Sequence, residues 1–205
     1  MDKTGKKAQI IFASKNLGKI KEMDYLTNKN TAGFQIELLG LKDIGFTGEI
    51  IENGASFEEN AKIKAQAVFD ETGMACFADD SGLCVDFLDG APGIFSARYG
   101  GKNPGDGTKR ILEELKDVPD FQRTAHFYCA IHCILDKSTS FCVSGKCHGF
   151  IAREKIGENG FGYDPVFYYP PAKKTFAQLS SDEKNKISHR AKAAERFSEM
   201  IAKYY

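Results

Sequence analysis

The chain has no net charge. Its 28 lysines and arginines balance 28 aspartates and glutamates over 205 residues. That argues against a protein held to nucleic acid or to an anionic membrane by bulk charge, while leaving room for a local basic pocket. No apolar run approaches the length of a membrane span. The opening residues MDKTGKKAQ lack the apolar stretch of a secretory leader, so a cytoplasmic location is expected. There are no repeats, no low-complexity segment and no evident linker, and one domain over residues 1–205 is expected. At this length a chain buries a sizeable core without disulfide or metal staples.

Metal-cage spacing is missing too. The six cysteines, Cys76, Cys84, Cys129, Cys133, Cys142 and Cys147, contain no CxxC. In HFYCAIHCIL, strand alternation puts Phe127, Cys129, Ile131 and Cys133 on one face and the histidines on the other. The cysteines read as small core residues with reduced thiols rather than zinc ligands.

What is present begins with a short apolar strand at residues 9–13, followed by SKNLGK and a helix marked by Ile20, Met23 and Leu26. A second strand is expected at 34–39. Ser56 and Glu59 form a capping-box pattern ahead of a helix through Ala61, Ala65 and Val68 that stops at Gly73. Strands are expected at 74–78 and 83–88, a helix at 108–116, and a hairpin from 121–135 and 140–153. A short strand at 165–169 and an amphipathic helix at 188–205 complete the pattern. Helices and strands alternate early and a hairpin follows, which predicts an α/β or α+β domain with a mixed sheet.

Five stretches carry possible chemistry. SKNLGK lies between a strand end and a helix start, where free backbone N–H groups and the helix dipole suit phosphate. Ser14, Asn16, Gly18, Lys15 and Lys19 would add donors, close approach and charge, although GxxxxGK[ST] is absent. EIIENGAS holds Glu52 before a turn. ADDSG holds two adjacent carboxylates, Asp79 and Asp80, at an expected strand end. Neighbours in an extended segment face opposite ways, so the two should play different roles, one toward metal or water and one bracing the turn. GENGFGYDPVF interleaves glycines with aromatics, and Phe161 can stack on a planar base. SDEKNKISHRAKA gathers Lys184, His189 and Arg190 near an expected helix start. Read singly, each also fits an ordinary turn, cap or solvated face.

Taken in order, SKNLGK, ENGASFEENAKIKA, ADDSGLCVDFLDGAPGIFSARYGG, FGYDPVF and SHRAKA resemble the signature blocks of the inosine triphosphate pyrophosphatase family, across residues 10–202. The resemblance implies an α/β fold with a long mixed β-sheet, flanking helices and two lobes around a central cleft. It implies a homodimer that needs Mg²⁺ and hydrolyses ITP, dITP and XTP to the monophosphate and pyrophosphate. By position, Ser14, Lys15, Asn16, Leu17, Gly18 and Lys19 would hold phosphates. Asp80 would be the catalytic residue and a metal ligand with Glu52, and Ser81 would meet the substrate. Phe161, Gly162, Tyr163 and Asp164 would cradle the purine, and Lys184, His189 and Arg190 would complete recognition. Lys15 departs from the small or short polar residue more usual at its position, and the cysteine-rich hairpin is outside the signature. Two alternatives remain: a Maf-type pyrophosphatase acting on pyrimidine nucleotides, and a nucleotide-binding module without turnover.

Overall fold

The computed structural model describes residues 7–29, 35–101 and 103–205. Strand β1 (Lys7–Phe12) pairs in parallel with β2 (Gln35–Gly40), Lys7 opposite Gln35 and Phe12 opposite Gly40. It also pairs in parallel with β3 (Cys76–Val85), through Ile11 and Cys76 and through Phe12 and Phe77. The long strands β4 (Thr124–Ile134) and β5 (Ser140–Ile151) form the expected hairpin. Antiparallel β6 (Phe167–Tyr169) and β7 (Lys174–Thr175) follow, giving the order β2-β1-β3-β4-β5-β6-β7. The sheet is mixed and carries flanking helices, as expected. Phe34, placed in the second strand by the sequence pattern, lies outside the described residues.

The chain forms two compact units. The first comprises residues up to Asp80, Cys129–Gly145 and Arg190–Tyr205. Its β1 packs on both faces: Ala8, Ile10 and Phe12 join one apolar cluster, and Ile11 joins another with Ala13 just past the strand, while Gln9 near the strand's start is exposed. That accounts for a strand without polar alternation, the usual signature of a parallel strand covered on both sides. Helices α1 (Leu17–Lys29) and α2 (Phe57–Thr72) belong to this unit, and the carboxy-terminal helix, here labelled α5 (His189–Ile201), packs Ala193, Ala194, Phe197 and Ile201 into the first cluster. The Ser56 hydroxyl accepts the Glu59 N–H, while Glu59 reaches back to the N–H of Ala55 rather than of Ser56. Gly73 ends α2 at φ 64°, in the left-handed region that favours glycine.

The second unit comprises Ser81–Tyr128 and Lys146–His189. Its core joins Leu83, Val85, Ile111, Leu115, Phe127 and Phe167 with Tyr163 and Phe176. Helix α3 (Asp106–Glu114) lies here. Arg123, 2% exposed, donates to the carbonyls of Ile151 and Ala152, each at 2.8 Å, and to that of Leu115. A guanidinium is buried here because three backbone acceptors replace its water.

Two expected elements differ. Residues 76–85 make one strand through ADDSG, where a strand end and a restart had been expected. The carboxylates find buried cationic partners, so nothing forces the chain to turn. The SDEKNKISHRAKA stretch makes two helices, α4 (Ser181–Lys184) and α5. Ser180 and Glu183 cap the first reciprocally, the Ser180 hydroxyl taking the Glu183 N–H and the Glu183 carboxylate taking the Ser180 N–H.

Candidate functional site

In the first unit, residues 13–16 link β1 to α1. The Ser14 hydroxyl accepts the Asn16 N–H at 3.2 Å. Asn16 Oδ1 accepts the N–H groups of Gly18 at 2.9 Å and Lys19 at 3.1 Å. The loop is thus held by its own side chains, and Asn16 caps α1. Two of the N–H groups expected to be open for phosphate are taken by this cap. Lys15 and Leu17 are exposed. Lys19 turns inward, its ammonium 3.0 Å from Asp79 Oδ2 and 3.1 Å from Oδ1.

Asp79 and Asp80 face different partners, as strand geometry requires. Asp79 is 2% exposed and meets Lys19 and, at 3.5 Å, Arg190 Nε. Burial alone would raise its pKa; Lys19, Arg190 and Lys64 outweigh burial and hold the carboxyl well below the usual range. Asp80 Oδ1 is 3.3 Å from Lys64 Nζ, and its Oδ2 accepts from Asn60 at 3.3 Å. Burial pushes the Asp80 pKa up, aided by Glu52 and opposed by Lys64, Lys19 and the Asn60 amide. The neighbouring carboxyls are therefore shifted in opposite directions, the kind of separation that divides labour between two acids.

Lys64 is shared. Its ammonium lies 2.9 Å from Glu52 Oε2 and 3.3 Å from Asp80 Oδ1. Burial would lower its pKa, but Asp80, Asp79 and Glu52 raise it, and the lysine stays charged. Glu52 and Asp80 thus converge on one cation from different segments. Two hard carboxylate oxygens around a cationic point match what Mg²⁺ takes from protein, with water and substrate phosphate filling the rest. The donor set fits that ion.

Asn60 and Lys64 were missed from the sequence as site residues. A signal existed: they occupy the same helical stripe as Phe57, Ala61, Ala65 and Val68, which forms the buried face of α2. An amide and an ammonium on a buried stripe call for polar partners.

Arg190 is 2% exposed and binds Glu22 as well as Asp79. It stands behind Asp79, where it braces that carboxylate, rather than at an accessible recognition surface. Lys184 and Arg190 are each matched by a carboxylate within their own unit, Lys184 by Asp164 and Arg190 by Glu22 and Asp79.

In the second unit, Asp164 Oδ2 accepts the Phe161 N–H at 2.8 Å and pairs with Lys184 Nζ at 2.7 Å. The same ammonium lies 4.9 Å from the Phe161 ring centre, a cation–π contact. The Thr108 hydroxyl donates to the Gly162 carbonyl at 3.2 Å, and the Tyr163 hydroxyl to the Ser96 carbonyl at 2.8 Å. His189 is buried and stacks on Phe127, ring centres 4.6 Å apart. Tyr163 and Asp164 are buried too, so Phe161, 39% exposed, is the aromatic face this loop presents. Ser81 is half-buried in β3.

The model of the Ham1 family matches residues 10–200. This chain belongs to the Ham1 family. The motif blocks quoted above fall almost wholly within the matched residues, and the resemblance drawn from them holds. A Bacillus licheniformis protein named dITP/XTP pyrophosphatase is 45% identical over 195 residues, 94% of this chain and 97% of that protein. A Bacillus subtilis protein of the same name is 44% identical over 195 residues, 94% and 96% of the two chains. Among solved structures, the Staphylococcus aureus Ham1 protein aligns with a TM-score of 0.85 at 36% identity, covering 96% of this chain and 100% of that one.

Proposed function

We propose that this Ham1-family chain is a nucleoside triphosphate pyrophosphatase that hydrolyses the non-standard purine nucleotides ITP, dITP and XTP to monophosphate and pyrophosphate. The observation that carries the reading is the group around Asp80: a buried carboxylate held by Asn60, with Lys64 shared between it and Glu52. Full-length relatives named dITP/XTP pyrophosphatase support the substrate class. The protein is expected to work in the cytoplasm as a homodimer, with Mg²⁺ as cofactor.

Glu52 and Asp80 would hold Mg²⁺, which when bound supplies positive charge to the triphosphate oxygens. In the reaction, water attacks the α-phosphorus and the bond to the bridging oxygen of the β-phosphate breaks. Pyrophosphate departs with the electron pair. Asp80 orients the water and takes its proton. Lys19 and Lys64 offset the charge that builds on the leaving group, and such preorganised electrostatics supply the largest share of phosphoryl-transfer catalysis. Asp79, itself braced by Arg190, keeps Lys19 in place. The loop of Ser14 to Lys19 would hold phosphate through the Lys15 and Lys19 ammonium groups and the Ser14 hydroxyl, since the Asn16 amide oxygen is spent on the cap.

Base choice falls to the second unit. Phe161 offers a stacking face, set by Asp164 and Lys184. Hypoxanthine and xanthine carry a 6-oxo acceptor where adenine has an amino donor. A protein donor aimed at that oxygen loses its partner with adenine, a penalty of roughly 1–3 kcal/mol.

A nucleotide panel with Mg²⁺, scoring pyrophosphate against orthophosphate, tests the reading. Pyrophosphate from ITP, dITP and XTP, with ATP far slower, is the expected result. Preference for UTP or dTTP would indicate the Maf-type alternative, and binding without any product a non-catalytic module.

A further inference from the structure

His126 and His148 lie on the part of the β4–β5 hairpin that belongs to the second unit. The strands are neighbours in the sheet. Tyr128 and Lys146 form one cross-strand pair, the ammonium 5.1 Å from the ring centre. Two residues along each strand, His126 and His148 form the next, with ring centres 5.5 Å apart and planes 37° from parallel. Asp86 approaches this pair, its Oδ1 3.9 Å from His126 Nδ1. Asp86 and His148 are exposed, and His126 is half-buried.

The spacing is that of a bis-imidazole chelate. A tetrahedral metal about 2 Å from each ring nitrogen puts the two ring centres roughly 5 Å apart. Metal-bound imidazoles commonly direct their second nitrogen to a carboxylate, which fixes the tautomer and the ring orientation. Asp86 stands on the Nδ1 side of His126 and leaves Nε2 for a metal. Among the described residues no three His, Cys, Asp or Glu side chains surround a metal position. The site is therefore two imidazoles completed by water.

We infer that His126 and His148 form a binding site for a borderline divalent cation such as Zn²⁺, separate from the Glu52–Asp80 pair, with Asp86 as the orienting carboxylate. Imidazole nitrogen selects Zn²⁺ over Mg²⁺, which prefers oxygen. A bound ion would staple β4 to β5 and stabilise the folded chain by mass action.

The test is equilibrium dialysis of the reduced full-length chain against Zn²⁺ at pH 7.5, with excess Mg²⁺ and the exposed thiol removed by Cys142→Ser. One Zn²⁺ per chain is expected, with a higher Tm. His148→Gln, at an exposed position, should abolish both, as should His126→Gln. Asp86→Asn should weaken binding about 10- to 100-fold, and His132→Gln should leave it unchanged. Absence of Zn²⁺ uptake by the parent chain, or uptake undiminished by His148→Gln, would overturn the inference.

Discussion

Asp79 and Asp80 are consecutive in β3, yet their carboxylates bind different cations: Asp79 meets Lys19 and Arg190, and Asp80 meets Lys64. One fully buried acid is held ionised by two flanking cations. The other keeps a raised pKa beside a shared lysine and an amide. The division of labour proposed for the site starts from that difference, and the two substitutions should separate cleanly.

Asp80→Asn keeps the size and the Asn60 contact but removes the base. Turnover of ITP should fall by about 10²- to 10⁴-fold, the usual worth of a positioned acid–base group. ITP affinity by calorimetry should change little. Turnover near that of the parent would remove Asp80 from the proposed role.

Asp79→Asn should act on stability first. It takes from the Arg190 guanidinium, 2% exposed, the carboxylate charge 3.5 Å from its Nε. Breaking a buried pair by removing one partner costs roughly 3 kcal/mol or more. Urea unfolding should show a lowered midpoint with the slope unchanged. An unaltered midpoint would contradict the bracing role.

Gly160 has φ +74°, and a Cβ there would lie 2.1 Å from Asp164 Oδ2. Gly160→Ala should displace the carboxylate that holds both Phe161 and Lys184. The expected outcome is a KM for ITP raised severalfold, with kcat less affected. Equal losses in the two constants would place Phe161 in the chemical step rather than in base recognition.

His132 gives the fold a pH dependence. Burial, with Lys62 adding to it, lowers its folded-state pKa below the ordinary imidazole value of 6.5. Above pH 6.5 the ring is neutral in both states and costs nothing. As pH falls from 6.5 through the folded pKa, the unfolded chain binds the proton more readily, and stability is lost. His132→Gln should flatten that part of a ΔG–pH profile measured by urea unfolding. A profile identical to the parent's would contradict this origin.

The thiols should be unequal. Cys142 is the exposed cysteine, while Cys76, Cys84, Cys129, Cys133 and Cys147 are buried. Burial pushes Cys76 and Cys129 up to about 12, aided by Asp70 and Asp79 respectively, so their nucleophilic thiolates are scarce at neutral pH. Alkylation followed by mass spectrometry should mark Cys142 first and the rest only on unfolding. Rapid labelling of Cys129 would contradict the packing of the first unit.

Much of the fold was legible because periodicity and end signals agree locally. Ile20, Met23 and Leu26 marked α1, Ser56 and Gly73 bounded α2, and the alternation around Cys129 located β4. ADDSG was misplaced for a physical reason. Aspartate disfavours strands, and partners distant in sequence, Lys19, Lys64, Arg190 and Asn60, make two carboxylates tolerable inside one. The same non-local pairing hid Lys64 on an α2 face that reads as apolar, and it buries Arg190 beside Asp79 and Glu22. The motif resemblance singled out Glu52, Asp80 and Lys19 as candidates; their partners came only with the fold.

Hydrolysis of ITP in ¹⁸O-labelled water tests the central claim most directly, because it reports which phosphorus the water attacks. Attack at the α-phosphorus predicts label in the monophosphate and unlabelled pyrophosphate, with the signal lost in Asp80→Asn. Label in pyrophosphate or orthophosphate would contradict the account.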